Sequence, residues 1–596
     1  MVRQIPEVSI MLKENAVLEN KMQSARRYRA LGYLLLAAAA AALANPTPGL
    51  ATPGMPPPAN FDIIITHGHI IDGTGSPWYE GDIGIKDGRI AAIGNLSSAP
   101  RKQTVDAHGM VVAPGFIDML GQSEYAILVD PRLPSKIFQG ITTEITGEGD
   151  SVAPVNDAIL RENEGNYAHF GITHDWHDHQ TYFARLKKQG IGINVGDYVG
   201  AATVREMVLG YGDRAPSADE LKRMQALVTE AMQQGALGLS TALQYPPAPY
   251  AHTEELIALA QSAAQYGGIY ATHMRSEGDG EMAALEETFR IGKEAHIPIE
   301  IFHLKASGKA NWGSAPRVIH AIEAARAQGI DVAADTYAYT AWQNSFSAFI
   351  PPWAHDGGTS ALIVRLKDPA TRARIREDMT TPSKDWDNEW LAIDGPQDIL
   401  ITAVINKELM KYQGKRVSQI ASEWHEDAID TICDFLIRDQ AGSSVAVFGM
   451  DEPDVRLILQ QPWVSIDNDA AGASTEGLLS GEHPHPRAYG TFPRILHKYV
   501  HEEQVLTLSD AIRKFSSLPA QREHLADRGV LKLGMWADVV VFDPNTIQDE
   551  ATYEDPNRLS VGMQYVLVNG VPVISQGKMT GALPGQILRG PGYAGH

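Results

Sequence analysis

Residues 268–304, GIYATHMRSEGDGEMAALEETFRIGKEAHIPIEIFHL, decide the fold. They hold two short apolar runs, GIYATHM and IPIEIFHL, each with a histidine near its end. His273 and His303 are 30 residues apart, about the length of one strand–helix–strand unit. In a barrel of such units the catalytic side chains sit at the C-terminal ends of the strands. Adjacent strands would therefore aim two imidazoles at the same space.

The alternation continues in both directions. MVVAPGFIDML, GITTEIT, GINVGDYVG and ALGLSTAL precede these two runs, and IDVAADTYAY and WVSIDND follow them. Amphipathic stretches such as ADELKRMQALVTEAMQQG and APRVIHAIEAARAQG lie between. Eight strands in order predict an α/β fold, a TIM-like (β/α)8 barrel over residues 113–500. The insertion at 351–449, before the eighth strand, is expected to be a helical subdomain over the mouth. Residues 61–112 and 501–596 carry β-rich runs broken by Gly and Asp-Gly, the second after a final helix. They are expected to pair into one small β-sandwich domain built from both chain ends.

The formal net charge of -22 over 596 residues repels phosphate backbones and speaks against a nucleic-acid partner. The one cysteine, Cys433, lies in the apolar helical pattern AIDTICDFLI. No disulfide forms within the chain, and Cys433 reads as a core thiol. In residues 1–44, Arg26, Arg27 and Arg29 precede an apolar run that ends in the small-residue pattern Ala42-Leu43-Ala44. This reads as a signal peptide, too short to span a membrane, with translation starting at Met1 or Met22. Export to a periplasm or the outside is expected, with no stable membrane anchor after cleavage. Residues 45–60 form a Pro-rich linker.

The ionisable residues at strand ends are Asp118, Glu148, His273, His303 and Asp469. Two histidines and a carboxylate are a common catalytic zinc set that leaves a position open. Such an ion lowers the pKa of bound water and polarises a carbonyl. Asp469 is placed to take the water's proton and pass it to a leaving nitrogen. His67 and His69, in THGHIIDG, precede the barrel and read as strand-surface residues. His485 and Arg487, in HPHPRAYGTF after strand eight, are second-tier substrate-binding candidates.

The motifs IIDGTG, VVAPGFID, GITTEITGEG, YATHMRSE, HLKASGKANWG, DTYAYTA, HPHPRAYGTFPRIL and RGVLKLGMWADVVVFDP resemble the D-aminoacylase (N-acyl-D-amino-acid deacylase) group of the amidohydrolase superfamily. The resemblance implies that His273 and His303 bind the tight zinc, that Asp469 is catalytic, and that Lys305, Tyr339 and Ser345 hold the substrate carboxylate. Two positions depart from it. After GFID the family reads His-x-His, where this chain has Leu120 and Gln122. After strand two the family places a metal-binding cysteine, where this chain has Glu148. A carboxylate still suits zinc and admits other divalent ions. The expectation is therefore a hydrolase holding one divalent ion, most plausibly zinc, on Glu148, His273 and His303. It acts on the amide bond of a small N-acyl-(D-)amino acid or peptide-like substrate. The alternatives are a dipeptidase or cyclic amide hydrolase on the same scaffold, or a non-catalytic exported binding protein with a decayed metal site.

Overall fold

The structure, a computed structural model, describes residues 60–595 except Asp385. The signal-peptide and linker readings fall outside these residues, apart from Asn60. The described residues belong to one compact unit.

Strands β1 (Phe61–Ile70), β2 (Tyr79–Lys86), β3 (Arg89–Gly94), β4 (Arg101–Asp106) and β5 (Val111–Pro114) open it. The barrel follows with β6 (Phe116–Asp118), β7 (Ile141–Thr146), β8 (Asn194–Asp197), β9 (Val199–Gly200), β10 (Gly238–Ala242), β11 (Ile269–His273), β12 (Ile299–Ile301) and β13 (Val332–Thr336). Next come β14 (Trp342–Ser345), β15 (Ile399–Ala403) and β16 (Ser444–Val447), then the last barrel strand β17 (Val464–Ile466). The chain closes with β18 (Val539–Phe542), β19 (Met563–Val568), β20 (Val571–Ser575) and β21 (Lys578–Met579).

The barrel strands are parallel throughout, in the orders β6-β7-β8 and β9-β10-β11-β12-β13-β17. β8 and β9 form one interrupted third strand, which gives the eight staves expected. A parallel bridge from Gly121 to Ala470 links the first stave to the last. Every residue of β7, β10, β11, β12, β13 and β17 is buried. Parallel strands covered on both faces read as continuous apolar runs, which is why they stand out in the sequence. Leu120, Ile145, Tyr198, Leu237, Ile269, Ala271 and Phe302 form one buried apolar cluster. Helix Ala218–Gln233 shows how the outer layer is specified. Ser217 and Glu220 make a reciprocal capping box at its start, satisfying donors a helix start otherwise leaves free. Met224, Val228, Ala231 and Met232 bury one face.

Both chain ends enter one nine-stranded sheet, in which β18 pairs antiparallel with β5. The first barrel stave is shorter than its apolar run, because Val111–Pro114 belongs to this sheet. Asn194 of β8 donates to Asp538 at 3.2 Å and accepts from Asn569 at 2.7 Å, tying sheet to barrel.

The insertion corrects one expectation, since it is not wholly helical. Its helices Thr359–Lys367, Pro369–Thr380, Val417–Trp424 and Ala428–Arg438 accompany an antiparallel sheet ordered β14-β16-β15. The β-branched runs ILITA and SVAV favour strands wherever they can pack on a half-buried surface. Cys433 is fully buried here, and burial pushes its thiol up to about 11. Among the described residues, no helix is long and apolar enough to cross a membrane.

Candidate active site

The strand registers set the site. Thr272 of β11 pairs with Ile301 of β12, Ile301 with Ala334 of β13, and Thr336 with Ile466 of β17. The C-terminal ends therefore come level. His273 ends β11, His303 lies two residues past β12, Glu148 two past β7 and Asp469 three past β17. His303 and Asp469 both adopt left-handed backbone, with φ of +36° and +44°. A non-glycine residue pays about 1–3 kcal/mol for such a conformation, and such strain collects at functional sites.

One oxygen of Glu148, Oε1, stands 3.1 Å from His273 Nδ1 and 2.9 Å from His303 Nε2. The two ring nitrogens are 3.1 Å apart. Among the described residues these three side chains form a group able to hold a metal ion. Donor atoms about 2.0–2.1 Å from a tetrahedral ion stand roughly 3.3 Å apart, so the set fits zinc. The far side of each ring supports this. His273 Nε2 lies 2.9 Å from Gln244 Oε1, and His303 Nδ1 lies 2.9 Å from Glu277 Oε1. Lys305 Nζ also lies 2.8 Å from His303 Nδ1, so the outer nitrogen of each ring has a polar partner that fixes the ring's orientation. Burial and Lys305 oppose a charge on His303, yet Glu277, Asp469 and Glu148 push it up to about 10. Burial also opposes charge on Glu148, but the two histidines hold it well below the usual carboxylate range.

Asp469 is almost fully buried. Its Oδ1 accepts from Gln122 Nε2 at 3.0 Å, and its Oδ2 pairs with Arg487 Nη1 at 2.7 Å. Burial pushes it up to about 7, with Glu148 adding to the shift while Arg487 and His303 oppose it. Such a carboxyl exchanges a proton near neutrality.

These residues line a cavity of about 490 Å³ that also takes in Gln122, Lys305, Tyr245, Trp342 and Ser345. Strand β14, which precedes the insertion and pairs with its β16, lines one side of the cavity. The remaining candidates divide. Lys305 reaches the cavity, but its ammonium is clamped by both oxygens of Glu277 at 2.7 and 2.8 Å. Arg487 stacks on Tyr337 and acts behind Asp469. Tyr339 and His485 stand apart from the cavity. The Tyr339 hydroxyl reaches only Pro486 O at 3.5 Å, under the Arg494 guanidinium. His485 Nδ1 accepts from the Arg487 amide at 3.0 Å, while its Nε2 lies 3.1 Å from Ala341 O. Sequence reasoning missed Glu277, four residues after His273, and Tyr337, which faces both Lys305 and Arg487. As expected, His67 is exposed and paired with Asp106, and His69 stacks on Trp78.

A model of the amidohydrolase family matches residues 103–574. The chain belongs to the amidohydrolase family. N-acyl-D-glutamate deacylase of Alcaligenes xylosoxydans xylosoxydans is 35% identical over 530 residues, 89% of this chain and 96% of the relative. D-aminoacylase of the same organism is 36% identical over 535 residues, 89% and 97% respectively. Among solved structures, N-acyl-D-glutamate deacylase from Bordetella bronchiseptica, complexed with zinc and a phosphonate mimic of the tetrahedral intermediate, matches with a TM-score of 0.74. It is 35% identical and is covered in full by 89% of this chain. Of the positions Leu120, Gln122 and Glu148, the last two line the cavity. Leu120 is fully buried in the apolar cluster with Ile145 and Tyr198.

Proposed function

We propose that this chain is a metal-dependent hydrolase of the acyl-amide bond in N-acyl-D-amino acids. The observation that carries the reading is the convergence of Glu148 Oε1, His273 Nδ1 and His303 Nε2 at one point of a cavity that also admits Asp469. The similarity to deacylases of N-acyl-D-amino acids supports the substrate class. Glu148, His273 and His303 would hold one divalent ion, zinc, which when bound would polarise the scissile carbonyl and acidify water. Asp469 accepts a proton from water at its carboxylate and returns it to the leaving nitrogen. Arg487 and Gln122 fix the carboxylate's orientation for both transfers. Lys305 and Ser345 receive the substrate carboxylate, which competes with Glu277 for the ammonium. Tyr339 and His485 act from behind, bracing the start of the helix Arg487–Arg494.

The same reading places the mature protein outside the cytoplasm, cleaved after Ala44, with small molecules and not nucleic acid as its partners. It takes the nine-stranded sheet as a sandwich-like flank to the barrel.

The test is release of free amino acid from N-acetyl-D-amino acids and their L counterparts by the zinc-loaded protein. Cleavage of the D series supports the reading. Cleavage of dipeptides or cyclic imides alone moves the substrate class. No turnover of any amide by a zinc-loaded protein contradicts hydrolysis and favours a binding role.

A further inference from the structure

The Gln122 amide touches two carboxylates at once. Its Nε2 donates to Glu148 Oε2 at 2.7 Å and to Asp469 Oδ1 at 3.0 Å. Both acceptors are carboxylate oxygens, so only the NH2 end of the amide can face them. The contact divides the work of Glu148 between its two oxygens: Oε2 goes to Gln122, and Oε1 is left toward the histidines. Two buried carboxylates at this distance repel each other unless donors or a cation lie between them. No lysine or arginine contacts Glu148 among the described residues, and Arg487 pairs only with the far oxygen of Asp469. Leu120, two residues before Gln122, is sealed in the apolar cluster and offers no donor atom.

We propose that Gln122 is a positioning residue that stands where a second cation would otherwise bridge Glu148 and Asp469, so that the site holds one ion and depends on the amide to hold it tightly. The inference rests on the one-ion reading above. Partners that orient metal ligands through hydrogen bonds typically set affinity by 10–100-fold. The amide donates two hydrogen bonds and adds no charge. It therefore keeps Glu148 fixed for one ion without making a second ion favourable.

The experiment measures zinc per chain by elemental mass spectrometry after equilibration with excess zinc, and zinc affinity by competition with a chelator. It compares the wild type, Gln122→Met and Gln122→Glu. Thermal unfolding of the zinc-free proteins serves as the control for folding. Gln122→Met keeps the length and removes both donors; the expected result is one ion per chain bound tenfold or more weakly. Gln122→Glu sets a third carboxylate at the bridge; the expected result is a rise from one to two ions per chain. Should Gln122→Met fail to fold, the stoichiometry of Gln122→Glu decides alone. Wild-type affinity in Gln122→Met, or one ion at wild-type affinity in Gln122→Glu, overturns the role of the amide. A wild type that takes no zinc overturns the one-ion reading itself, a separate result.

Discussion

Stave β7 carries one buried carboxylate within the strand, Glu144, and a second carboxylate just past its end, Glu148, and the two meet their charge in different ways. Inside the barrel, the Lys136 ammonium lies 2.8 Å from Asp118 and 3.1 Å from Glu144, and donates to Ala470 O at 2.8 Å. At the strand ends, Glu148 meets two imidazole nitrogens and an amide, with no ammonium or guanidinium against it. The first group carries its own cation and has no room for another. The second gathers lone pairs around a point beside a cavity. The comparison teaches that acidity alone does not mark a metal centre. What marks it is a set of donors whose other contacts leave their lone pairs unspent.

The strongest way to break this comparison is Lys136→Met. Removing one partner of a buried ion pair strands the other, at a cost of about 3–5 kcal/mol. Denaturant unfolding should show that loss, while the folded fraction still takes one zinc. A large drop in zinc stoichiometry would mean that the two groups are one system. The mirror experiment is Asp469→Asn. Turnover should fall by about 100-fold or more with zinc retained, since the amide cannot accept a proton. Near-normal turnover would remove Asp469 from the reaction.

The buried group around Lys136 also answers to pH. Burial pushes Asp118 up to about 7 from 3.8, with Glu144 adding to the shift and Lys136 opposing it. A raised folded-state value means a contribution to stability fully present below about pH 4 and lost as pH rises through about 7. Without Lys136 the value rises further. The stability of Lys136→Met should therefore fall more steeply above pH 7 than that of the wild type. Parallel curves would show that Lys136 does not govern that titration. The smallest effect is expected at Tyr339→Phe, whose hydroxyl makes one long contact away from the cavity. Its kcat/KM should stay within about threefold of the wild type, and a larger loss would bring Tyr339 into the site.

The eight staves were legible because strands buried on both faces leave short apolar runs at regular spacing. The site candidates were legible for the same reason: Glu148, His273, His303 and Asp469 each end or follow such a run. The insertion's sheet was less so, because ILITA and SVAV are short and separated by helices. Beyond a strand's end the period of two no longer tells which way a side chain points. Tyr337 therefore reaches Lys305 and Arg487 while Tyr339, two residues later, does not. Glu277 sits at a legible spacing from His273, but its clamp on Lys305 depends on the loop between them. The bridge from Gln122 to Asp469 spans 347 residues, and only closure of the barrel brings its ends together.

In the proposed one-ion site Glu148 is a ligand beside His273 and His303. The most direct test is an anomalous difference map at the zinc edge from crystals grown with zinc, for the wild type and for Glu148→Ala. The account predicts one peak in the wild type, within bonding distance of Glu148 Oε1, His273 Nδ1 and His303 Nε2, and none at that place in the variant. A wild-type peak that leaves Glu148 out, or an unchanged peak in Glu148→Ala, would contradict it.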